Sequence, residues 1–190
     1  MKKMILAAAA AAALAVPAMA TAQDTAPDGS KAVGIEPYVG VTGGYEKFDS
    51  DNRGPITRNC PSYGCPDGGL VEGVAGINVP LGPVFVGAEG NIAKGFNGLD
   101  WEYGAYGRFG VRAGTSGMIY GKVGYQWVHT DDQGIKRHDR DWAYGLGLEV
   151  GPKDLGLGGL SMPAGARLRF EVSTLNFEDI RPTAGVVFHF

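Results

Sequence analysis

The sequence predicts an all-β protein, an eight-stranded antiparallel up-and-down transmembrane β-barrel, and three observations support this fold class. Of 190 residues, 32 are glycine and only 19% are charged, against ~7% and ~25% in ordinary soluble domains. Because each glycine inside a helix costs up to ~1 kcal/mol relative to alanine, this composition disfavours a mainly helical protein. Apolar and polar residues alternate with a period of two in eight segments, and the chain begins with a secretory signal.

The N-terminal residues 1–20 have the parts of a cleaved signal peptide. Two lysines precede an alanine-rich apolar run, and small residues surround Ala20. The run is shorter than the ~20 residues that cross a membrane as a helix, so we expect cleavage after Ala20 or Ala22. Residues 21–35 have no period and many small or turn-forming residues, which predicts a flexible N-terminal segment ahead of a barrel over residues 36–190.

Eight segments carry the alternation, and turn-forming residues separate them. Short turns follow the second and fourth segments, and longer polar connections follow the first and fifth. The connection after the sixth segment is long and the last one is short, so loop length is an imperfect guide to sidedness. Segments of about 9–13 residues can cross a bilayer when tilted, which needs ~9–11. The segments cover residues 36–47, 69–79, 84–93, 101–113, 118–129, 141–151, 165–176 and 182–190.

One face of each segment is apolar or aromatic, as in a strand whose two faces meet different surroundings. In chain order its residues are Val39, Val41 and Tyr45; Val71, Ala75, Ile77 and Val79; Val84, Val86, Ala88 and Ile92; Trp101, Tyr103, Ala105, Phe109 and Val111; Ile119, Val123, Tyr125 and Trp127; Trp142, Tyr144, Leu146, Leu148 and Val150; Ala166, Leu168, Phe170 and Val172; and Ala184, Val186, Phe188 and Phe190.

The other face of the segments combines glycine with charges of both signs. An eight-stranded barrel has an interior just wide enough for side chains to fill it. Buried charges need partners, so we expect this face to line the lumen and to plug it with a network of ion pairs. A selectivity ring of a narrow pore would use the same residues and remains the alternative. The network members are Glu72, Glu89, Glu102, Glu149 and Glu171 with Arg108, Arg112, Lys122, Arg167 and Arg169.

Alternation alone fits a soluble barrel with an apolar interior or a membrane barrel with an apolar exterior. Aromatic residues favour the membrane barrel, because with a periplasmic N-terminus seven of them fall near one rim and on the apolar face. There they would form a girdle at the membrane–water interface. The strand that ends on Phe190 closes the barrel if it pairs with the first strand, which removes both edges. The girdle comprises Tyr45, Trp101, Tyr103, Tyr125, Trp127, Trp142 and Tyr144.

The signal, the eight amphipathic segments, the glycine and aromatic bias and the terminal run Ala184–Phe190 together resemble the small outer-membrane barrels of the opacity and OmpA/OmpX type. The resemblance covers residues 36–190. It implies a non-enzymatic protein of the cell outer membrane, in contact with outer-membrane lipid and lipopolysaccharide, with adhesion or surface interaction as its role. It also implies that Phe188 and Phe190 are the signal recognised by the barrel-insertion machinery.

Two cysteines, Cys60 and Cys65, lie in a stretch rich in proline, glycine and asparagine. In an exported protein this spacing predicts a disulfide that closes a loop. A metal site would need further ligands that the neighbouring residues do not supply. We therefore expect no metal and no cofactor.

Other chemistry finds little support in the sequence. The net charge of −3 and the absence of a basic block argue against nucleic-acid binding. Ser173, Glu171 and His189 are candidates for a lipid-modifying site, but if Ser173 pairs near Val186 it lies ~10 Å from His189 along the strand, so no catalytic residues are assigned. The loop beginning at Asp49 lacks the full ligand set of a calcium loop.

We thus expect a non-enzymatic outer-membrane barrel with a plugged lumen that contributes to envelope structure. It would display two sizeable loops, over residues 48–68 and 130–140. The second concentrates charge, and a contact there with divalent cations or lipopolysaccharide phosphates is a further hypothesis. The alternative function is a small passive-diffusion channel. The surface ligand is unknown.

Overall fold

A computed structural model describes residues 34–48, 68–96, 99–113, 116–132, 135–151, 154, 165–177 and 179–190. Within these ranges, only the backbone is described for residues 46–48, 99–100, 130–132 and 135–139. These residues form eight strands. Among them no helix is long and apolar enough to cross a membrane. The strands are β1 (Glu36–Phe48), β2 (Gly68–Leu81), β3 (Val84–Gly95), β4 (Leu99–Ala113), β5 (Gly117–Asp132), β6 (Ile135–Val150), β7 (Ala166–Leu175) and β8 (Asp179–His189).

The eight strands form a closed antiparallel barrel in which every strand pairs with its sequence neighbours. β8 pairs with β1, from Tyr38 opposite His189 to Phe48 opposite Asp179, so no edge is left open. The predicted fold class is confirmed. Since β1 begins and β8 ends at the same end of the barrel, we call it the termini end and the opposite one the far end.

The two faces of the wall have opposite chemistry. Leu146 is 73% exposed and Phe109 59% exposed on the outside, whereas Arg108 and Glu149 are 2% and 0% exposed inside. This is the reverse of a soluble barrel, in which apolar side chains fill the interior. Such a wall is stable only where the surroundings are apolar, because exposed apolar surface of this extent is unfavourable in water.

Three tyrosines point inward, and each lies against a glycine. A Cβ at Gly76 would collide with the hydroxyl of Tyr38, and one at Gly147 with the ring of Tyr120, while at Gly104 it would come within 2.6 Å of the Tyr106 hydroxyl. Glycine at these positions leaves room for rings in a narrow interior. Other glycines face outward, where a side chain has room. At Gly43, Gly73, Gly90 and Gly107 the nearest neighbouring atom lies at least 3.7 Å from an added Cβ. The excess of glycine therefore serves both faces of the wall.

The structure corrects the predicted loop over residues 130–140. β5 continues to Asp132 and β6 begins at Ile135, and these two residues pair directly. The segment is thus two extended strands joined by a short connection. Polar composition misled the prediction, because strands that project beyond the membrane meet water on both faces and lose the alternation that identifies a strand.

The register of the last hairpin also differs from the prediction. β8 begins at Asp179, and Ser173 lies opposite Arg181 rather than near Val186. Asn176 and Phe177 both have positive φ, 51° and 63°, which is the conformation of a tight hairpin turn. The sequence lacks the usual glycine at this turn, so its position and the resulting register were not apparent.

Candidate functional site

The centre of the lumen is organised around Glu149, whose side chain is fully buried. Arg108 Nη2 and Arg169 Nη2 each donate to its Oε1 at 2.8 Å, and Arg169 Nε donates at 3.1 Å. His189 Nε2 lies 2.8 Å from the other oxygen. Four strands, β4, β6, β7 and β8, therefore meet at one carboxylate.

A second carboxylate, Glu89 on β3, accepts from the same cations on the other side. Arg169 Nη1 lies 2.6 Å and Lys122 Nζ 3.1 Å from its oxygens, and Arg108 Nη1 lies at 3.5 Å. The Tyr38 hydroxyl donates to Glu89 at 2.7 Å. Because Arg108 and Arg169 bridge Glu89 and Glu149, the centre is one connected network.

Aromatic rings pack against the cations of this network. The Arg108 guanidinium carbon lies 3.8 Å from the centre of the Tyr120 ring and 4.8 Å from that of Tyr38. Lys122 Nζ lies 4.3 Å from the centre of the Tyr106 ring. Cation–π contacts of this kind are strongest where the cation is desolvated. The tyrosines thus fill the lumen and also stabilise its charges.

Towards the far end the network continues through the contacts of two further carboxylates, Glu171 and Glu102. Lys122 Nζ pairs with Glu171 at 2.6 Å, and the Tyr120 hydroxyl donates to the same carboxylate at 2.7 Å. Glu102 pairs with Arg181 and accepts from Gln126 Nε2 at 2.7 Å.

Two further contacts extend this part of the network. The Tyr106 hydroxyl donates to Gln126 Oε1 at 2.8 Å. Glu72 accepts a hydrogen bond from the Asn91 side chain. These contacts extend the hydrogen bonding and ion pairing of the lumen towards its far end.

At the termini end Glu36 is the counter-charge. It pairs with Arg112 and with Arg167 Nη2, the latter at 3.0 Å. His189 Nδ1 lies 2.9 Å from Glu36, and its ring stacks on Tyr38 with centroids 5.1 Å apart. A carboxylate therefore lies beside each ring nitrogen of His189.

All ten residues of the predicted network point into the lumen, and the contacts above connect nine of them; Glu72 contacts Asn91 instead. The prediction omitted Glu36 and Arg181, which lie at strand ends, and considered His189 only as a catalytic candidate. Glu36 already lies on the inner face of the predicted segment 36–47, and extending the last segment by one residue would have found Arg181. The charged side chains that the structure describes in the lumen include six glutamates, Glu36, Glu72, Glu89, Glu102, Glu149 and Glu171, and six cations, Arg108, Arg112, Lys122, Arg167, Arg169 and Arg181.

The residues considered for lipid chemistry are not brought together. Ser173 lies opposite Gly145 and Arg181, whereas His189 lies at the termini end opposite Tyr38. Arg181 and His189 are eight residue steps apart on β8, about 26 Å along the strand at ~3.3 Å per residue. The separation exceeds the predicted one because the register differs. Glu171 pairs with Lys122 in the network.

Six of the seven predicted girdle aromatics lie on neighbouring strands β4, β5 and β6, on the outer face. Tyr103 stacks on Trp127 with centroids 5.4 Å apart, and Tyr125 makes T-shaped contacts with Trp127 and Trp142, with centroids 5.2 and 5.9 Å apart. Trp101 contacts Lys94, and Tyr144 stacks on Phe177 at 4.9 Å. Tyr45 is on β1, exposed and apart from this group.

The C-terminal residues complete the seam between β8 and β1. Phe188 lies opposite Val39 of β1 and Ala166 of β7. The backbone N–H of Phe190 donates to the Pro37 carbonyl at 2.9 Å, and its side chain is exposed on the outer face.

Several predictions concern residues outside the described ones. These are the signal peptide over residues 1–20, the flexible segment up to residue 33, the disulfide between Cys60 and Cys65, and the loop beginning at Asp49.

A closed eight-stranded barrel with an apolar outer wall and an ion-paired interior defines a transmembrane β-barrel of the outer-membrane class. The family model for the outer membrane protein beta-barrel domain matches residues 6–190. The chain belongs to this family, which confirms the resemblance drawn from the sequence and indicates an outer-membrane protein. No curated protein sequence matches the chain.

Solved structures with a similar fold include small outer-membrane barrels. The attachment invasion locus protein Ail of Yersinia pestis is 15% identical, with a TM-score of 0.47 over 83% of this chain and 99% of that one. Neisserial surface protein A is 11% identical, with a TM-score of 0.46 over 82% of this chain and 97% of that one. The β-barrel domain of Pseudomonas aeruginosa OprF is 12% identical, with a TM-score of 0.44 over 80% of this chain and 97% of that one.

Proposed function

We propose that this chain is a non-enzymatic outer-membrane protein whose charge-plugged lumen does not conduct. It contributes to envelope structure and displays its far end, with the β1–β2 loop and the β5–β6 hairpin, for adhesion or other surface interaction. The N-terminus lies in the periplasm. The observation that supports the proposal best is the connected network of paired, buried charges and tyrosine rings across the lumen.

Charge pairing is the physical reason for a closed lumen. Removing one partner of a buried ion pair typically costs ~3–5 kcal/mol, because the remaining charge is left desolvated. Arg108 and Arg169 each contact both Glu89 and Glu149, so no one of these side chains can swing aside without leaving several charges unpaired. An ion would have to break this network to pass.

Planar-bilayer recordings of the refolded mature protein test the plug, and we expect no reproducible conductance. Replacing Glu89, Arg108, Glu149 and Arg169 together by alanine keeps the net charge and removes the central side chains. This variant should open discrete conductance steps, whereas the outer-wall control Phe109→Ala/Phe170→Ala should stay closed. Ion-selective openings of the native protein would contradict the proposal.

The alternative function, a small passive-diffusion channel, draws support from one observation. Among the described residues, Arg108 Nε and both side-chain amide atoms of Asn78 are buried and make no hydrogen bond within the protein. Such groups are usually satisfied by water, and a hydrated lumen can carry small solutes. The same recordings decide between the two functions.

Export and assembly are a further part of the proposal. We expect the mature N-terminus at residue 21 or 23, a disulfide between Cys60 and Cys65, and recognition of Phe188 and Phe190 by the insertion machinery. N-terminal sequencing and the mass after thiol alkylation without reductant test the first two. Deletion of Phe190 should slow insertion in a reconstituted assembly assay, whereas Phe177→Ala, which also removes an exposed phenylalanine but away from the C-terminus, should not.

A further inference from the structure

Towards the termini end of the lumen, three side chains keep hydrogen-bonding groups that have no partner within the protein. Both amide atoms of Asn78, Arg108 Nε and Arg112 Nε are buried and make no hydrogen bond with any residue that the structure describes. Asn78 is fully buried and Arg108 is 2% exposed. Because buried polar groups are normally hydrogen-bonded, these three side chains indicate a partner that is not part of the chain.

The strand pairing places two of these side chains on either side of a glycine. Glu36, Asn78, Gly87 and Arg108 are consecutive partners across β1, β2, β3 and β4. A Cβ built on Gly87 would lie 2.6 Å from Asn78 Oδ1, so the Asn78 amide leans over Gly87 towards Arg108. A half-turn of the amide exchanges its oxygen and nitrogen, and it can therefore also present its N–H group there.

Arg108 leans towards the same space from β4. Its guanidinium carbon lies 4.8 Å from the centre of the Tyr38 ring and 5.8 Å from that of the Phe85 ring. Tyr38 belongs to β1 and Phe85 to β3, which are the strands on either side of the strand that carries Asn78. Since Gly87 has no side chain, none separates Asn78 from Arg108 along the wall.

Arg112 reaches this region from the end of β4. It pairs with Glu36 of β1, and Glu36 is the strand partner of Asn78. The Arg112 side chain therefore crosses the lumen on the termini side of Gly87. Asn78, Arg108 and Arg112 thus border one region of the interior, which we call the amide–arginine site.

The described charges around the amide–arginine site leave a surplus of positive charge. Three carboxylates contact four arginines there, and Lys122, a further cation in contact with one of these carboxylates, also pairs with Glu171. A small anion would offset the surplus. The carboxylates are Glu36, Glu89 and Glu149, and the arginines are Arg108, Arg112, Arg167 and Arg169.

We infer that the amide–arginine site binds a small monovalent anion, a halide such as chloride. A halide accepts hydrogen bonds from the amide and from both Nε–H groups, and it also offsets the surplus charge. A water molecule would accept hydrogen bonds but leave that charge uncompensated. Only a small ion fits an interior that side chains nearly fill. The Arg112 side chain is 21% exposed, so an anion can enter past it from the termini end.

Urea unfolding of the refolded mature protein in non-ionic detergent micelles tests the inference. Urea midpoints are compared in sodium chloride and in sodium gluconate at equal ionic strength, because gluconate is a bulky anion that the narrow lumen excludes. A ligand that binds only the folded state stabilises it more as its concentration increases. We expect a higher midpoint in chloride, with a difference that increases with chloride concentration, and bromide should act as chloride does.

The variant Asn78→Asp places a carboxylate at the amide–arginine site and should abolish the difference between the two salts. Asn78→Leu removes the donor without adding a charge, so it keeps the test usable if Asn78→Asp does not fold. It should weaken chloride binding about 10-fold or more, which corresponds to one hydrogen bond to a charged group. The matched control Asn91→Leu makes the same change on the inner face of β3, towards the far end, and should respond to chloride as the native protein does.

The width of the chloride NMR signal gives a second readout that does not depend on unfolding. Chloride in exchange with the site should broaden the signal of the native protein and of Asn91→Leu more than that of Asn78→Leu. Faster migration of the unboiled form on detergent gels verifies that each variant is folded.

Two results would overturn the inference. One is an equal urea midpoint of the native protein in chloride and in gluconate, which would make water the occupant of the site. The other is an equal chloride response of the native protein and Asn78→Leu. Neither result depends on whether the lumen conducts, so failure here is distinguishable from failure of the proposed function.

Discussion

At the scale of single residues, His189 ties together parts of the barrel that are far apart in the sequence. It contacts Glu36 of β1 and Glu149 of β6 from the end of β8, and it stacks on Tyr38. The seam between β8 and β1 is where the barrel closes. A side-chain bridge at this seam adds to the backbone pairing there.

Replacement of His189 by phenylalanine should therefore destabilise the folded barrel by about 1–3 kcal/mol, because the buried Glu149 carboxylate loses its hydrogen-bond partner. The unfolding free energy in urea, measured in micelles, checks this. The outer-wall variant Phe170→Ala controls for general loss of packing.

The double variant Glu149→Gln/His189→Gln sharpens the test. If the two residues interact directly, their effects should depart from additivity by 0.5–3 kcal/mol, as contacting pairs do. Additive effects would show that His189 stabilises the barrel by packing alone.

At the scale of elements, the strands carry glycines on both faces of the wall for different reasons. Gly147 of β6 lies under the Tyr120 ring, whereas Gly107 of β4 faces outward with its nearest neighbouring atom 3.8 Å from an added Cβ. Both are strand glycines, so they lose similar backbone entropy on folding.

We expect Gly147→Ala to destabilise the barrel and Gly107→Ala to be neutral or stabilising, because only the first forces a tyrosine off its hydrogen bond to Glu171. Thermal midpoints from the heat-dependent gel shift measure both. Adding Tyr120→Ala should lessen the effect of Gly147→Ala. Equal loss from the two glycine variants would contradict the role given to the inner glycine.

The β5–β6 hairpin shows how far an element can depart from its pattern. The sequence of its outer part is mostly polar, yet the pairing continues from His129 opposite His138 to Asp132 opposite Ile135. The backbone pairing of β5 with β6 is continuous from Met118 opposite Glu149 to this outer part, and it holds these residues in strands. A local pattern cannot reveal pairing that a neighbouring element imposes.

At the scale of the whole molecule, an apolar outside and a charged inside make the barrel dependent on a membrane or a micelle. The folded form should resist dodecyl sulfate without boiling and migrate faster than its boiled form, because a closed barrel is compact and has no open edge. Detergent gels with and without heating measure this. Identical mobility of the two samples would contradict the closed architecture.

The absence of catalysis is also a prediction for the whole molecule. Ser173 and His189 lie towards opposite ends of the barrel, so we expect lipid A incubated with the refolded protein to keep its mass. Mass spectrometry of the lipid checks this. A mass change that the variant Ser173→Ala abolishes would contradict it.

The sequence by itself determined which side of the wall each residue faces, because side chains alternate strictly along a strand. Glu89, Arg108 and Glu149 could be assigned to the lumen, and Trp101 and Trp142 to the outer wall, without any knowledge of their neighbours. The number of strands and the closure through the terminal Phe188 and Phe190 followed from the same alternation.

Only the tertiary structure decided which residues meet. Arg108 reaches Glu149, 41 residues away in the sequence, and His189 meets Glu36 rather than Ser173. Alternation specifies the face of a residue but not its height in the barrel. Height depends on strand register. Turns such as Asn176–Phe177 set the register locally, and closure of the barrel requires the registers of all eight strands to be mutually consistent.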